Sequence, residues 1–254
     1  MSQLDTRYSW LRLFISLLIA VIGNVGMWAI VVVMPDFQSE MGLDRADASL
    51  PYTFTMIGFA VGNYAIGRMV DRYGIVTCLL GAAILNSVSF YAATLTSSLS
   101  VICVFQLLLG FGTAATFGPL IADVSKWFLK RRGIAVAIAA SGNYLSGAIW
   151  PLLLTGVLRT SGWHGVYLWL ATLTLIIMVP LSLLLSRQVN DQSIELSDAQ
   201  SNSRMGSLPF SARTLTWLLG LAGVGCCVAM SMPQVHIVAY CVDLGYGPTA
   251  GAEM

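Results

Sequence analysis

Few residues inside the long apolar runs of this sequence could do chemistry, and all but one are uncharged. They are Asn24, Gln106, Asn143, Tyr144, Tyr240 and the ionisable His236. Such side chains can grip a solute by hydrogen bonds, and a protonated imidazole can attract an anion. His236 and Tyr240 are four apart, so a helix puts them on one face. Nucleophilic catalysis would need a serine and a base together. Ser141, Ser146 and His236 can be assembled on paper, but Ser beside Gly in an apolar run fits close helix packing better. No Lys, Arg, Asp or Glu lies deep in any of these runs, and the run holding His236 has no Lys to carry a Schiff base. Cys78, Cys103, Cys226, Cys227 and Cys241 lack ligand-like spacing and read as small packing residues. No enzyme activity, cofactor or metal is expected.

The elements that must position these residues follow from composition. Hydrophobic residues make up 57% of the chain and charged residues 10%, and the mean hydropathy is +0.78. An all-α integral membrane protein is expected, with the lipid bilayer as its main partner, because an apolar segment in lipid must satisfy its own backbone. The net charge of +1 carries no sign of nucleic-acid binding. Windows free of charge except for Arg68 near the end of the second place spans at Leu13–Met34, Pro51–Met69, Ile75–Leu95, Val101–Ala122, Gly133–Gly156 and Val166–Leu185, with a seventh starting near Leu215 and interrupted at Pro233. Each is close to the roughly 20 residues that cross a hydrocarbon core.

The domain reading is a six-helix half over 1–186, a linker over 187–213 and the first helix of an incomplete second half over 214–254. Eleven of the 13 Lys and Arg fall on one side of these spans, leaving Arg45 and Arg159 on the other. The bias predicts a cytoplasmic amino terminus in a multi-pass protein of the inner (plasma) membrane. The linker carries Asp191, Glu195, Asp198, Gln200, Asn202 and several Ser without apolar periodicity, and reads as flexible. No small-residue cleavage site follows the first apolar run, so a removed signal peptide is not expected.

Two motifs sit at the basic side. Gly67, Asp71, Arg72 and Gly74 form G-x-x-x-D-R-x-G between the second and third spans, which resembles the loop between helices two and three of major facilitator superfamily transporters. The resemblance implies a gate-bracing role for Asp71 and Arg72. Trp127 and Phe128, then Lys130, Arg131 and Arg132, then small residues through Gly142 resemble the fifth-helix signature of the monocarboxylate transporter and oxalate/formate antiporter branch. The segment from Met232 to Tyr240, followed by Asp243 and Gly245, is similar to helix seven of bacterial members. The resemblance implies a major facilitator helix bundle truncated to about seven transmembrane helices. It also implies a cavity lined by helices one, four and seven, which adds weight to Asn24, Gln106 and His236.

Departures are equally plain. Gln106 opens Q-L-L-L-G-F-G-T-A, where the superfamily pattern R-x-x-x-G-x-G-x-A has Arg. Pro35 is followed by Asp36, where familiar monocarboxylate carriers place Lys. The function implied is secondary transport of a small organic anion, a mono- or dicarboxylate, by alternating access, coupled to a proton or a counter-anion. A non-transporting truncated protein acting as a dimerisation or regulatory module is the alternative. With only one helix beyond the linker, the sequence leaves open whether it is a fragment of a longer product. The charge bias predicts that, in a cysteine-free background, a thiol probe at Ser201 is labelled from the cytoplasm and one at Ser97 from outside; reversed labelling would overturn this topology.

Overall fold

A computed structural model of the chain describes residues 4–187 and 211–245; for 212, 231–239, 242 and 243 it describes the backbone alone. The described residues are almost wholly helical and form two separate units, Gln3–Gln188 and a second one comprising Met1–Ser2 and Val189–Met254. The expected linker over 187–213 lies mostly outside the described residues. Five runs are long and apolar enough to cross a membrane: 7–41, 75–93, 99–125, 132–184 and 213–230.

The first unit begins with α1 (Arg7–Gly23), whose first turn is closed by a capping box between Thr6 and Ser9. Next come α2 (Val25–Met41), α3 (Arg45–Tyr73) and α4 (Ile75–Ala93), then α5 (Leu99–Thr113), a 3-10 turn at Ala114–Thr116, and α6 (Gly118–Ser125). The unit closes with α7 (Arg132–Leu184). The first expected span is therefore two helices, broken at Asn24, whose side-chain Nδ2 and backbone N both donate to the Ala20 carbonyl. The fourth expected span is also broken, between α5 and α6. Pro119 sits in the first turn of α6 and has no N–H to continue the ladder, and Phe117 leaves helical geometry at φ −117° and ψ −95°. The second expected span lies inside the longer α3, whose Thr, Asn and charged residues keep it out of the apolar set.

Helix α7 has 53 residues, which as a straight rod would be roughly 80 Å long, more than twice a hydrocarbon core. Gly162, at φ 63° and ψ −175°, divides it. The ring centroids of Trp150 and Trp169 lie 6.1 Å apart although 19 positions separate them, so the chain reverses at this glycine. The expected loop over 157–165 shrinks to that one residue. The turn between α3 and α4 is equally short, made by Gly74 at φ 81°.

Packing divides into two apolar clusters along the bundle. Val25, Phe37, Phe90, Leu109, Trp150 and Tyr167 belong to one; Ile19, Leu79, Ala83, Ala114, Leu120 and Met178 belong to the other. Asn24 falls on the seam between them. The closest helix pair is α3 with α5, where glycines let backbones touch: a methyl group on Gly110 would run into the Thr55 carbonyl, and one on Gly58 into the Leu107 carbonyl. Cys78 and Cys103 are buried as packing residues should be.

The second unit contributes α8 (Ala212–Asp243). Its backbone is helical straight through Pro233, contrary to the interruption expected there. Proline removes one ladder hydrogen bond, and the bonds on either side can hold the helix together. Cys226 and Cys227 are exposed on this helix rather than packed.

The α3–α5 contact predicts that Gly110→Val lowers the melting stability of the detergent-solubilised chain by about 2 kcal/mol or more. Gly81→Ala, with open space around its Cβ position, is expected to leave it unchanged or slightly raised. Equal effects in the two variants would refute the close approach.

Candidate functional site

The chemistry-bearing groups gather at two depths: the basic end of the bundle and the seam between the apolar clusters. At the basic end the organising residue is Arg12, buried to 2% exposure within an apolar stretch of α1. Its Nε and Nη2 donate to Asp123 Oδ2 at 3.0 and 2.8 Å. Its Nη1 donates to the carbonyls of Leu185 and Arg187 at 3.0 and 2.9 Å, which caps the end of α7. The guanidinium carbon also lies 4.6 Å from the centroid of the Trp127 ring. One side chain thus ties α1, α6 and the end of α7. Sequence reading only counted Arg12 among the eleven basic residues of the cytoplasmic side; the signal for its burial was the helical spacing of Ser9, Arg12, Ser16 and Ile19, all of which are buried.

Beside it, Asp5 Oδ2 accepts from the backbone N–H groups of Leu129 and Lys130 at 3.2 and 3.0 Å. Its own N–H donates to the Trp127 carbonyl. Asp5 has φ 56°, a left-handed conformation that Asp tolerates better than most residues. The fifth-helix motif is thereby locked against the start of α1. Lys130 and Arg131 are exposed, Arg132 reaches Ser125 Oγ at 3.3 Å, and Gly142 lets α7 approach Ala20 of α1.

The gate motif lies at the same end. Asp71 and Gly67 line a cavity of about 270 Å³ together with Asn63, Gly118, Asp123 and Lys126. Asp71 on α3 therefore shares a pocket with Asp123, the carboxylate that holds Arg12. Arg72 lies over the neighbouring Tyr73 ring at 5.4 Å, and Gly74 makes the turn.

At the seam, the breaks in the first and fourth spans face each other. Methyl groups on Gly23 and Gly26 would run into the side chains of Thr116 and Thr113 respectively, so the first broken segment packs its bare backbone directly on these two threonines of the fourth. Asn24 is fully buried; its Nδ2 is bonded, while its Oδ1 has no partner among the described residues. The same holds for the buried polar atoms Thr113 Oγ1, Ser146 Oγ, Trp28 Nε1 and Asn143 Oδ1. The indole of Trp28 lies against Gly147 of α7.

Gln106 is buried and fully engaged elsewhere. Its Nε2 donates to the Tyr167 hydroxyl at 2.6 Å, and its Oε1 accepts from Thr55 at 2.9 Å. This triad joins α3, α5 and α7, and neither Thr55 nor Tyr167 was singled out in the sequence. Asn24, Gln106 and Asn143 share no hydrogen bond with one another. Tyr144 is exposed on α7 and Tyr240 on α8, while the side chain of His236 lies outside the described residues. At the far end, Trp163 Nε1 donates to Glu40 at 2.7 Å and His164 Nδ1 stands 3.9 Å from the same carboxylate, a cluster the sequence did not reveal.

Removing one partner of a buried ion pair strands the other charge. Asp123→Asn and Arg12→Met are each expected to cost about 3 kcal/mol or more of stability, read as thermal melting of the purified chain. The double variant Arg12→Met with Asp123→Leu should recover much of that loss. Additive losses would mean that the pair does not work as a unit.

The comparisons with known proteins agree with this architecture. A family profile described as Major Facilitator Superfamily matches residues 16–253. Monocarboxylate transporter 13 of Bos taurus is 29% identical over 206 residues, which cover 77% of this chain and 46% of that protein. Monocarboxylate transporter 11 of Homo sapiens is 30% identical over 178 residues, 69% of this chain and 37% of that protein. The Fujikurins efflux protein of Gibberella fujikuroi is 32% identical over 104 residues, 39% of this chain and 21% of that one. The chain thus spans less than half the length of these relatives. Among solved structures, a bacterial homologue of the human lysosomal transporter Spinster, inward-facing and unoccupied, superposes with a TM-score of 0.60 at 17% identity, covering 73% of this chain and 44% of that one. With the profile extending over nearly the whole sequence, this chain belongs to the Major Facilitator Superfamily.

Proposed function

We propose that this chain supplies the first six-helix half and the seventh helix of a secondary transporter for a small organic anion, a mono- or dicarboxylate. It works by alternating access, with the amino terminus in the cytoplasm and a proton or counter-anion as coupling partner. The observation that carries the reading is the pair of facing helix breaks at the seam, with buried hydrogen-bonding groups around them that lack protein partners. Discontinuous helices at mid-depth are where secondary transporters build solute sites.

Three of the unpartnered groups can donate: Trp28 Nε1–H and the hydroxyls of Thr113 and Ser146. A carboxylate accepts such bonds and carries no donors of its own when ionised. The names of the two monocarboxylate transporter relatives support the same substrate class. Of the residues expected to touch solute, Asn24, Asn143 and Tyr144 keep that role, with Trp28 added. Gln106 acts instead through the Thr55 and Tyr167 bonds that hold three helices in register. His236 and Tyr240 keep the substrate-contacting role expected of them from the sequence, a protonated His236 supplying positive charge.

The test is uptake of labelled formate, oxalate and lactate into proteoliposomes holding the product of the complete reading frame. Trp28→Phe keeps the ring and deletes the donor, and should weaken anion affinity about tenfold or more, the worth of one hydrogen bond to a charged group. His236→Ala should also weaken it. Wild-type affinity should rise as the pH falls, since a protonated imidazole attracts an anion. Uptake of a neutral solute with none of the three anions would overturn the substrate class, and absence of any uptake would favour the regulatory-module alternative.

A further inference from the structure

The basic end carries more positive charge than its ion pairs consume, and the fold gathers it from three separate stretches of chain. Arg7 stands in the first turn of α1, Lys130 and Arg131 in the turn between α6 and α7, and Arg187 just beyond α7; all four are exposed. Among the described residues none of them is paired with a carboxylate. Of the carboxylates at this end, Asp123 is paired with Arg12, and Asp5 turns one oxygen to the Leu129 and Lys130 backbone.

These cations are also held in place. The Lys130 N–H is fixed by Asp5, and the Arg187 carbonyl is fixed by Arg12. Arg187 lies over the Tyr8 ring at 4.8 Å and Arg131 over the Trp10 ring at 5.9 Å. Both rings belong to the first turns of α1, and they pack in turn on Trp127 and Phe128 at 5.2 Å each. Arginines stacked on indole and phenol rings at a helix end sit at the level where lipid headgroups meet the hydrocarbon, because such rings prefer that interface. Cations whose backbones are anchored lose less freedom on binding than free surface lysines do.

We infer that the collar formed by Arg7, Lys130, Arg131 and Arg187 is a binding site for the headgroup phosphate of an anionic phospholipid. The bound lipid bridges the start of α1, the α6–α7 turn and the end of α7. The occupant is a lipid and not a soluble anion because the collar surrounds interfacial aromatic rings at the rim of a membrane-embedded bundle, where the phosphate concentration is that of the bilayer itself. The attraction is electrostatic and therefore weakens with salt. It does not depend on the transport reading, since only embedding in a bilayer is required.

The experiment is thermal melting of the 254-residue chain in nanodiscs of phosphatidylcholine alone and with about a third phosphatidylglycerol, followed by tryptophan fluorescence. The anionic lipid is expected to raise the melting midpoint, and added salt to shrink the rise. In the triple variant Lys130→Gln, Arg131→Gln, Arg187→Gln the rise should fall by more than about half, whatever the variant's own midpoint. The pair Arg131→Lys with Arg187→Lys should retain most of it. Arg68→Gln with Arg72→Gln, two exposed arginines of α3 outside the collar, should leave it intact. An undiminished rise in the triple variant overturns the site, as does an equal loss in the Arg68 and Arg72 control, which would mean a diffuse charge effect. Inorganic phosphate added to the phosphatidylcholine discs should have no effect; the same rise with phosphate would assign the collar to a soluble anion instead.

Discussion

A guanidinium that enters an apolar bundle has to bring its partners with it, and much of the basic end of this protein follows from how Arg12 does so. Water is excluded from its position, so its donors must be met by protein or the charge stays uncompensated at a cost of several kcal/mol. Asp123 meets two of them, and the carbonyls of Leu185 and Arg187, at and just past the end of α7, meet the third nitrogen. The buried Leu185 carbonyl needed a donor in any case, because the end of a helix leaves its C=O groups without intrahelical partners. One side chain therefore satisfies two requirements at once. It also brings the start of α1, the short helix α6 and the end of α7 to a common point.

The remaining features of that end depend on the same junction. Once α1 is fixed beside α6, Tyr8 and Trp10 can pack on Trp127 and Phe128, and Asp5 can reach the backbone of the α6–α7 turn. Asp123 faces the pocket shared with Asp71, so the gate motif and the Arg12 junction lie on two sides of one carboxylate. Charge and aromatic packing together tie the helices of this end to one another.

At mid-depth the logic changes from charge to size. Gly58, Gly62 and Gly110 let α3 and α5 touch along their backbones, and Gly23 and Gly26 make room for the Thr116 and Thr113 side chains where the broken first and fourth segments meet. Irregular backbone inside a membrane is tolerated where protein surrounds it, and here the breaks lie against each other within the bundle. Gln106 illustrates the compromise. It stands where the superfamily pattern has a charged arginine, and as a neutral amide it finds a partner for its oxygen in Thr55 and for its nitrogen in Tyr167. An arginine there would need a carboxylate or a solute.

The amino-acid sequence by itself determined that the chain is a membrane helix bundle and which of its segments are basic. Those properties depend on composition summed over about 20 residues at a time, and lipid enforces them without reference to any neighbour. Helix ends were legible only in part: Gly74 announced its turn, but the expected loop after Gly156 turned out to be Gly162 alone, because a helix extends until a turn residue stops it and apolarity ends sooner. Which polar residue meets which was settled by tertiary structure. Arg12 and Asp123 are 111 positions apart, and Gln106 and Tyr167 are 61 apart. A hydrogen bond is decided within a fraction of an ångström by packing that no local window contains. The same reason separates Asn24 from Gln106: both looked like cavity residues as polar atoms in apolar runs, and only the fold showed that one lies at a helix break with an unpartnered oxygen and the other inside a closed triad.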